Sequence, residues 1–156
     1  MYSLLLGVHS WVRWVVLLAC LLALYRAITG VSGGRPWTAA DNKSGVWLTA
    51  SLDLQMLIGL LLYGVLSPVT AEAFNDFGAA MRNPQLRFWA VEHLTGMIAA
   101  VALAHIGRVR IRRAADAAAK HRTALVFFGL ALLAMVLSIP WPGLVSGRVL
   151  FRGLGL

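Results

Sequence analysis

The chain has 156 residues, of which 60% are hydrophobic and only 13% are charged. This composition is too apolar for an ordinary water-soluble domain, so the sequence predicts an all-α integral membrane protein in contact with the lipid bilayer. The formal net charge of +8 would indicate nucleic-acid binding in a soluble protein, but here the basic residues lie between apolar segments. They indicate membrane topology and contacts with anionic lipid, and the sequence predicts no nucleic-acid partner.

Four segments are long and apolar enough for transmembrane helices, which need roughly 20 residues each. They cover approximately residues 4–25, 46–66, 86–106 and 123–139. The sequence therefore predicts one transmembrane domain over residues 1–156, folded as a four-helix bundle. Between the second and third segments, residues 67–85 are bracketed by Pro68 and Pro84 and favour a short helix at the membrane interface.

The third connection, residues 108–122, is strongly basic, and its only acidic residue is Asp116. Its alanine-rich centre predicts that the fourth helix begins before the apolar segment. Nine of the 14 basic residues lie in the first and third connections, and the other five include Arg148 and Arg152 in the C-terminal tail. By the positive-inside rule these two connections are predicted to be cytoplasmic, with both termini facing the periplasm of a bacterial inner membrane.

Polar side chains within or beside the apolar segments are the most informative feature of the sequence. They are His9, Arg13, Asp53, Gln55, Glu92, His93, His105 and His121. An ionisable group facing hydrocarbon is costly, so such residues normally face the bundle interior and mark a functional site. At 1.5 Å of rise per residue, His9 and His93 lie at about the same depth from the outer ends of their helices. His105 and His121 form a second candidate pair near the inner ends.

Two histidines from different helices at matched depth are what bis-histidine haem ligation requires, because each imidazole approaches the iron from an opposite face. Arg13, four residues after His9, is placed to pair with a haem propionate. The sequence thus predicts haem b with His9 and His93 as iron ligands. A second haem between His105 and His121 is less favoured, since His93 and His105 are about 120° apart on a straight helix.

Other interpretations of these residues remain open. His9 would serve equally as part of an interfacial aromatic belt, and Glu92 with His93 as a hydrogen-bonded contact between helices. The alternative functions are a cofactor-free accessory subunit of a membrane complex, and a small transporter in which His93, Glu92 and Asp53 form a proton or metal path. For an electron carrier, the expected partners are quinol, a redox partner protein, and a second copy of the chain or a larger complex.

Short motifs also carry a family resemblance: HSWVRW at 9–14, QMLIGLLLY at 55–63, RFWAVEH at 87–93, AKH at 119–121 and IPWP at 139–142. Together they resemble a family of small four-span bacterial membrane proteins labelled cytochrome-b-like, over nearly the whole chain. The resemblance implies a haem protein in which three histidines matter most. By this resemblance the important histidines are His9, His93 and His121, and the polar residues around them are Arg13, Gln55, Arg87 and Glu92.

Overall fold

The structure, a computed structural model, describes residues 1–144 and 146–151, so the predicted tail residue Arg152 lies outside the described residues. The described chain is helical and contains no strand. Four of its helical segments are long and apolar enough to cross a membrane: 2–33, 39–66, 84–113 and 117–138. The prediction of an all-α bundle with four such helices is confirmed.

The chain order of the elements explains how the bundle is closed. The α-helices of the described chain are α1 (Tyr2–Gly33), α2 (Ala39–Leu61), α3 (Pro68–Asn75), α4 (Phe77–Arg82), α5 (Pro84–Arg87), α6 (His93–Arg113) and α7 (Ala117–Ser138). Two wide π-helical turns are π1 (Leu62–Leu66), after α2, and π2 (Phe88–Glu92), before α6. The second connection contains three short helices where one was predicted, because Pro68 and Pro84 each begin a helix and Asp76 caps the helix between them.

The basic connection predicted over residues 108–122 is mostly helical. α6 continues to Arg113 and α7 begins at Ala117, so only three residues separate them. Arginine and alanine have high helix propensity, and basic side chains in the last turn of α6 oppose the partial negative charge there. Asp116 caps α7 by accepting the Ala119 backbone N–H at 2.7 Å. The prediction that the fourth helix begins before its apolar segment is confirmed.

The core of the bundle is built largely from small side chains. Small residues let helix backbones approach closely, which is how helices associate where water supplies no driving force. Buried alanines lie on three of the long helices: Ala23, Ala27, Ala100, Ala104, Ala124 and Ala131. Leu48 and Phe128 fill the space between them, and the single cysteine, Cys20, is fully buried there.

The two ends of the bundle differ in how α2 and α6 meet. At the end where α1 and α6 finish and α2 and α7 begin, here called the basic end, Arg108 donates to the Asn42 side chain at 2.9 Å. Asp53 and His105 also join α2 to α6, with 2.8 Å between the carboxylate and Nε2. At the opposite end, here called the cleft end, the two helices flank an open cleft.

A buried carboxylate holds the connection between α1 and α2. Asp41 is only 2% exposed and accepts hydrogen bonds from Arg26 at 3.0 Å and from Arg35 at 2.7 Å. Thr38 and Asp41 also form a capping box at the start of α2. The hydrogen bond to Asp41 raises the pKa of the Arg35 guanidinium above its usual value. The carboxylate of Asp41 on α2 thus accepts hydrogen bonds from donors on α1 and in the connection.

Replacing this carboxylate tests its contribution to folding. Asp41→Ala leaves two arginines without their anion and removes one half of the capping box, so we expect a loss of about 2–4 kcal/mol in the free energy of unfolding. Denaturant titration in detergent micelles measures it. Asp116→Ala, which removes only an exposed cap, is the control and should cost about 1 kcal/mol. Equal losses for the two variants would contradict a special role for Asp41.

Candidate functional site

A cleft at the cleft end brings together polar residues from three long helices. His9 of α1, Gln55 of α2 and His93 of α6 line both of its adjoining lobes, and Arg148 of the C-terminal segment lines both as well. The larger lobe contains about 740 Å³ of empty space, part of it open to the surroundings. The cavity volume proper is about 90 Å³, and the remaining lining is mostly apolar, as in ligand-binding clefts.

His93 has a fixed tautomer. Its Nδ1 lies 2.7 Å from the backbone carbonyl of Ser138 at the end of α7. Because a carbonyl oxygen only accepts, Nδ1 carries the proton and Nε2 carries a lone pair. Gly96 makes the contact possible, since a Cβ at that position would overlap the Ser138 side chain. A histidine whose Nδ1–H is bonded to a carbonyl is oriented as metal-binding histidines usually are.

Gln55 of α2 contacts both the ring and the backbone carbonyl of His9. The Gln55 side-chain nitrogen donates to the His9 carbonyl at 3.0 Å and lies 3.1 Å from Nε2 of the His9 ring. Nε2 therefore accepts, and the proton lies on Nδ1, which is buried without a partner. Gly59 faces this ring, and a Cβ there would lie 3.1 Å from the His9 Cε1 atom. The imidazole rests against bare backbone of α2.

The two imidazoles lie close together at the cleft. Their ring centres are 6.4 Å apart and their planes differ by 69°. One metal ion at about 2.0–2.1 Å from a nitrogen of each ring would separate the ring centres by roughly 6–6.5 Å. The sequence placed His9 and His93 at matched depth, and the structure brings their rings to a spacing that suits a shared ligand. Among the described residues, no three His, Cys, Asp or Glu side chains form a metal-binding group.

The C-terminal segment supplies charge beside the histidines. Arg13 donates to the Leu150 carbonyl at 2.6 Å, while its Nε is buried without a hydrogen-bond partner. The Arg148 guanidinium lies 4.2 Å from the centre of the Trp89 ring. Phe151 stacks on Trp14 at 5.3 Å, which fixes the segment over the cleft. The sequence analysis did not place Arg148 at the site, although a basic residue in an apolar tail is a feature that could have indicated it.

Both π-helical turns border the cleft. The Tyr63 hydroxyl in π1 donates to the Ala90 carbonyl in π2 at 2.7 Å, and Thr70 donates to the Tyr63 carbonyl at 2.8 Å. Such turns leave backbone groups without their regular helical partners and occur often at functional sites. Tyr63 was missed as a site residue because neither π turn has a recognisable sequence pattern.

Two predicted site residues lie elsewhere. Arg87 and Glu92 form an ion pair with 2.6 Å between nitrogen and oxygen, and both side chains are nearly half exposed. Neither lines the cleft in the part of the chain that the structure describes. Although Glu92 precedes His93 directly, it points away from the bundle. The structure therefore assigns this pair to the surface beside π2.

The second histidine pair has two separate environments. The His105 ring lies 2.8 Å from the Asp53 carboxylate, and both side chains are about half exposed. His121 is fully buried, with no hydrogen bond to either ring nitrogen. Its ring packs against Gly30 of α1 and lies 4.9 Å from the centre of the Trp37 ring. Each inner histidine thus contacts a different helix, and neither lines the cleft.

The packing of His121 on Gly30 gives a testable consequence. A methyl group at Gly30 would overlap the imidazole, so Gly30→Ala should destabilise the bundle by about 1–3 kcal/mol in thermal or denaturant unfolding. Gly33→Ala, one turn further along α1 and with open space around it, should be neutral or slightly stabilising. In a His121→Ala background, Gly30→Ala should cost little, because the overlapping ring is absent. Equal behaviour of the two alanine variants would contradict the contact.

Comparisons of the chain with protein-family models, with curated proteins and with solved structures give no match. The resemblance to cytochrome-b-like proteins therefore rests on the short motifs alone. Function has to be inferred from the chemistry of the site, since a helical bundle by itself supports many activities. The residues that carry this inference are His9, His93, Gln55, Arg13 and Arg148.

Proposed function

We propose that the protein is a b-type haem protein of the bacterial inner membrane that transfers electrons, with one haem bound by His9 and His93. The observation that supports it is the spacing of the two imidazoles, 6.4 Å between ring centres, in an apolar cleft. Haem brings four nitrogen donors of its own, so the protein needs to supply only two. The bound group supplies one-electron exchange at its iron.

The hydrogen bonds of the two histidines suit residues that would hold the haem iron. His93 keeps its Nδ1–H on the Ser138 carbonyl, which orients the ring and makes Nε2 a better donor to a metal. Among the described residues, that Nε2 makes no hydrogen bond of its own. His9 would exchange the Gln55 side chain for the iron at Nε2. Gln55 would keep its hydrogen bond to the His9 carbonyl and so still connect α1 to α2.

The arginines beside the histidines would hold the acidic groups of the cofactor. Arg13 and Arg148 both line the smaller lobe, and the Nε of Arg13 is a buried donor without a partner. Haem propionates are anions that pair well with guanidinium groups. Gly59 lets the His9 ring lie against the backbone of α2, which positions this histidine at the cleft.

The proposed topology sets the direction of electron flow. With the basic connections in the cytoplasm and both termini in the periplasm, the cleft lies in the outer half of the membrane. It opens between α2 and α6, where Met56 and Leu94 line it. A quinol dissolved in the bilayer is therefore the class of donor that would reach the haem, and a periplasmic redox protein is the class of acceptor.

A second function, that of a cofactor-free accessory subunit, is favoured by one observation. His9 and His93 each bond to another helix through Gln55 and Ser138, so both act as contacts that hold the bundle together. In that case the cleft would be filled by a lipid tail or by a partner helix. The presence or absence of haem separates the two functions.

A reduced-minus-oxidised absorption spectrum of the purified chain from haem-replete cells, with a pyridine haemochrome assay, tests the proposal. We expect a b-type spectrum and one haem per chain. His9→Ala and His93→Ala should each lose the haem, because one axial ligand is removed. His105→Ala is the control and should retain it, since His105 is bonded to Asp53 away from the cleft. A colourless, folded protein would exclude the proposal.

The charge of Arg148 gives a second test. Removing a positive charge near the iron disfavours the reduced form, so Arg148→Gln should lower the midpoint potential by on the order of tens of millivolts. Arg82→Gln removes the same charge from α4, outside the cleft, and should leave the potential close to that of the wild type. Redox titration of both variants measures the difference. Equal shifts would place the haem elsewhere.

A further inference from the structure

A groove between α6 and α7 lies at the basic end of the bundle, away from the cleft. Its volume is about 630 Å³. Its lining includes Ile106, Val109, Arg110, Arg113, Thr123 and Phe127. Since only three residues join α6 to α7, the groove lies beside a tight connection.

Two positive charges at the rim of the groove have no counter-charge in the described part of the chain. Arg110 lies over the Phe127 ring, with 5.6 Å between the guanidinium carbon and the ring centre. Arg113 follows three residues later, on the same face of α6. Neither arginine forms an ion pair among the described residues. Asp116, the nearest acid in sequence, is occupied as the cap of α7.

The body of the groove is apolar. Ile106 and Val109 are exposed on α6, and the Phe127 ring packs behind Gly107, where a Cβ would lie 2.6 Å from the Phe127 Cβ. Along α7 the exposed residues Val126 and Leu130 continue the apolar surface away from the arginines. An apolar track therefore runs from a pair of arginines toward the middle of the helices, which matches a molecule with an anionic head and a hydrocarbon tail.

We propose that this groove binds an anionic phospholipid. Arg110 and Arg113 hold the phosphodiester, for which guanidinium groups are well suited, and an acyl chain lies along Ile106 and Phe127. Thr123 offers a hydroxyl donor to the same headgroup. Basic pockets between membrane helices are known to hold anionic headgroups. A choline headgroup is disfavoured because its ammonium would face the two arginines. The site is independent of the proposed haem.

Native mass spectrometry of the full chain, purified in detergent and supplied with equal phosphatidylglycerol and phosphatidylcholine, tests the site. We expect retained phosphatidylglycerol at one lipid per chain. The double variant R110Q/R113Q should weaken its binding by roughly 30-fold, from about 1 kcal/mol for each basic residue. Wild-type retention by R110Q/R113Q would overturn the proposal.

The matched control is R112Q/R122Q. Arg112 and Arg122 are exposed neighbours of the groove residues on α6 and α7 but do not line it, so the same charge is lost outside the site. This variant should retain phosphatidylglycerol nearly as well as the wild type. Equal weakening of the two double variants would overturn the site, because it would show general attraction between charges. Thermal unfolding confirms that each variant is folded.

Two further measurements separate a lipid from a free anion. Ile106→Trp fills the apolar part of the groove while keeping both arginines, and it should weaken phosphatidylglycerol binding. Millimolar inorganic phosphate should fail to displace the lipid, since it provides no acyl chain. Displacement by phosphate, or unchanged binding in Ile106→Trp, would overturn the assignment of a phospholipid.

Discussion

A polar group buried among the four long apolar helices is costly unless it forms a hydrogen bond or an ion pair. Asp41 satisfies this constraint with Arg26, Arg35 and Thr38, and so fixes the connection between α1 and α2. His93 satisfies it through the carbonyl at the end of α7. The bundle is therefore organised by a few polar contacts between helices, and the small residues of its core let those contacts form.

The cleft follows from the unequal spacing of α2 and α6. Arg108 and Asn42 join these helices at the basic end, Asp53 and His105 join them nearer the middle of α2, and Leu48 and Leu52 of α2 belong to the same core as Ala100 and Ala104 of α6. At the cleft end they are separated by the second connection, whose three short helices and two π turns are longer than a direct link requires. The Tyr63 bond to the Ala90 carbonyl closes this connection around the cleft. His9 and His93 both line the cleft that lies between α2 and α6.

The chain also separates its charges by end. At the cleft end, Arg13 and Arg148 line the site, and each guanidinium lies over a tryptophan ring, Trp14 and Trp89 respectively. The arginines of the basic end extend past the apolar length of α6 and remain largely without carboxylate partners among the described residues. Positive charge at this end suits the cytoplasmic face of a membrane and its anionic lipids. The basic residues of this apolar chain thus lie in two chemically different places, the cleft and the basic end.

The helical class, the four long apolar segments and the matched depth of His9 and His93 could be predicted from residue order, because hydropathy and helical rise depend on it alone. The sequence also indicated Arg13 and Gln55, which lie one turn or one helix from His9. Three features could be seen only in the folded chain. Arg87 pairs with Glu92 outside the cleft, and His105 and His121 contact different helices. Arg148 and Tyr63 line the cleft. These contacts depend on how α6 continues from π2 and on the packing of the C-terminal segment against α1. No periodic pattern in the sequence predicts either feature.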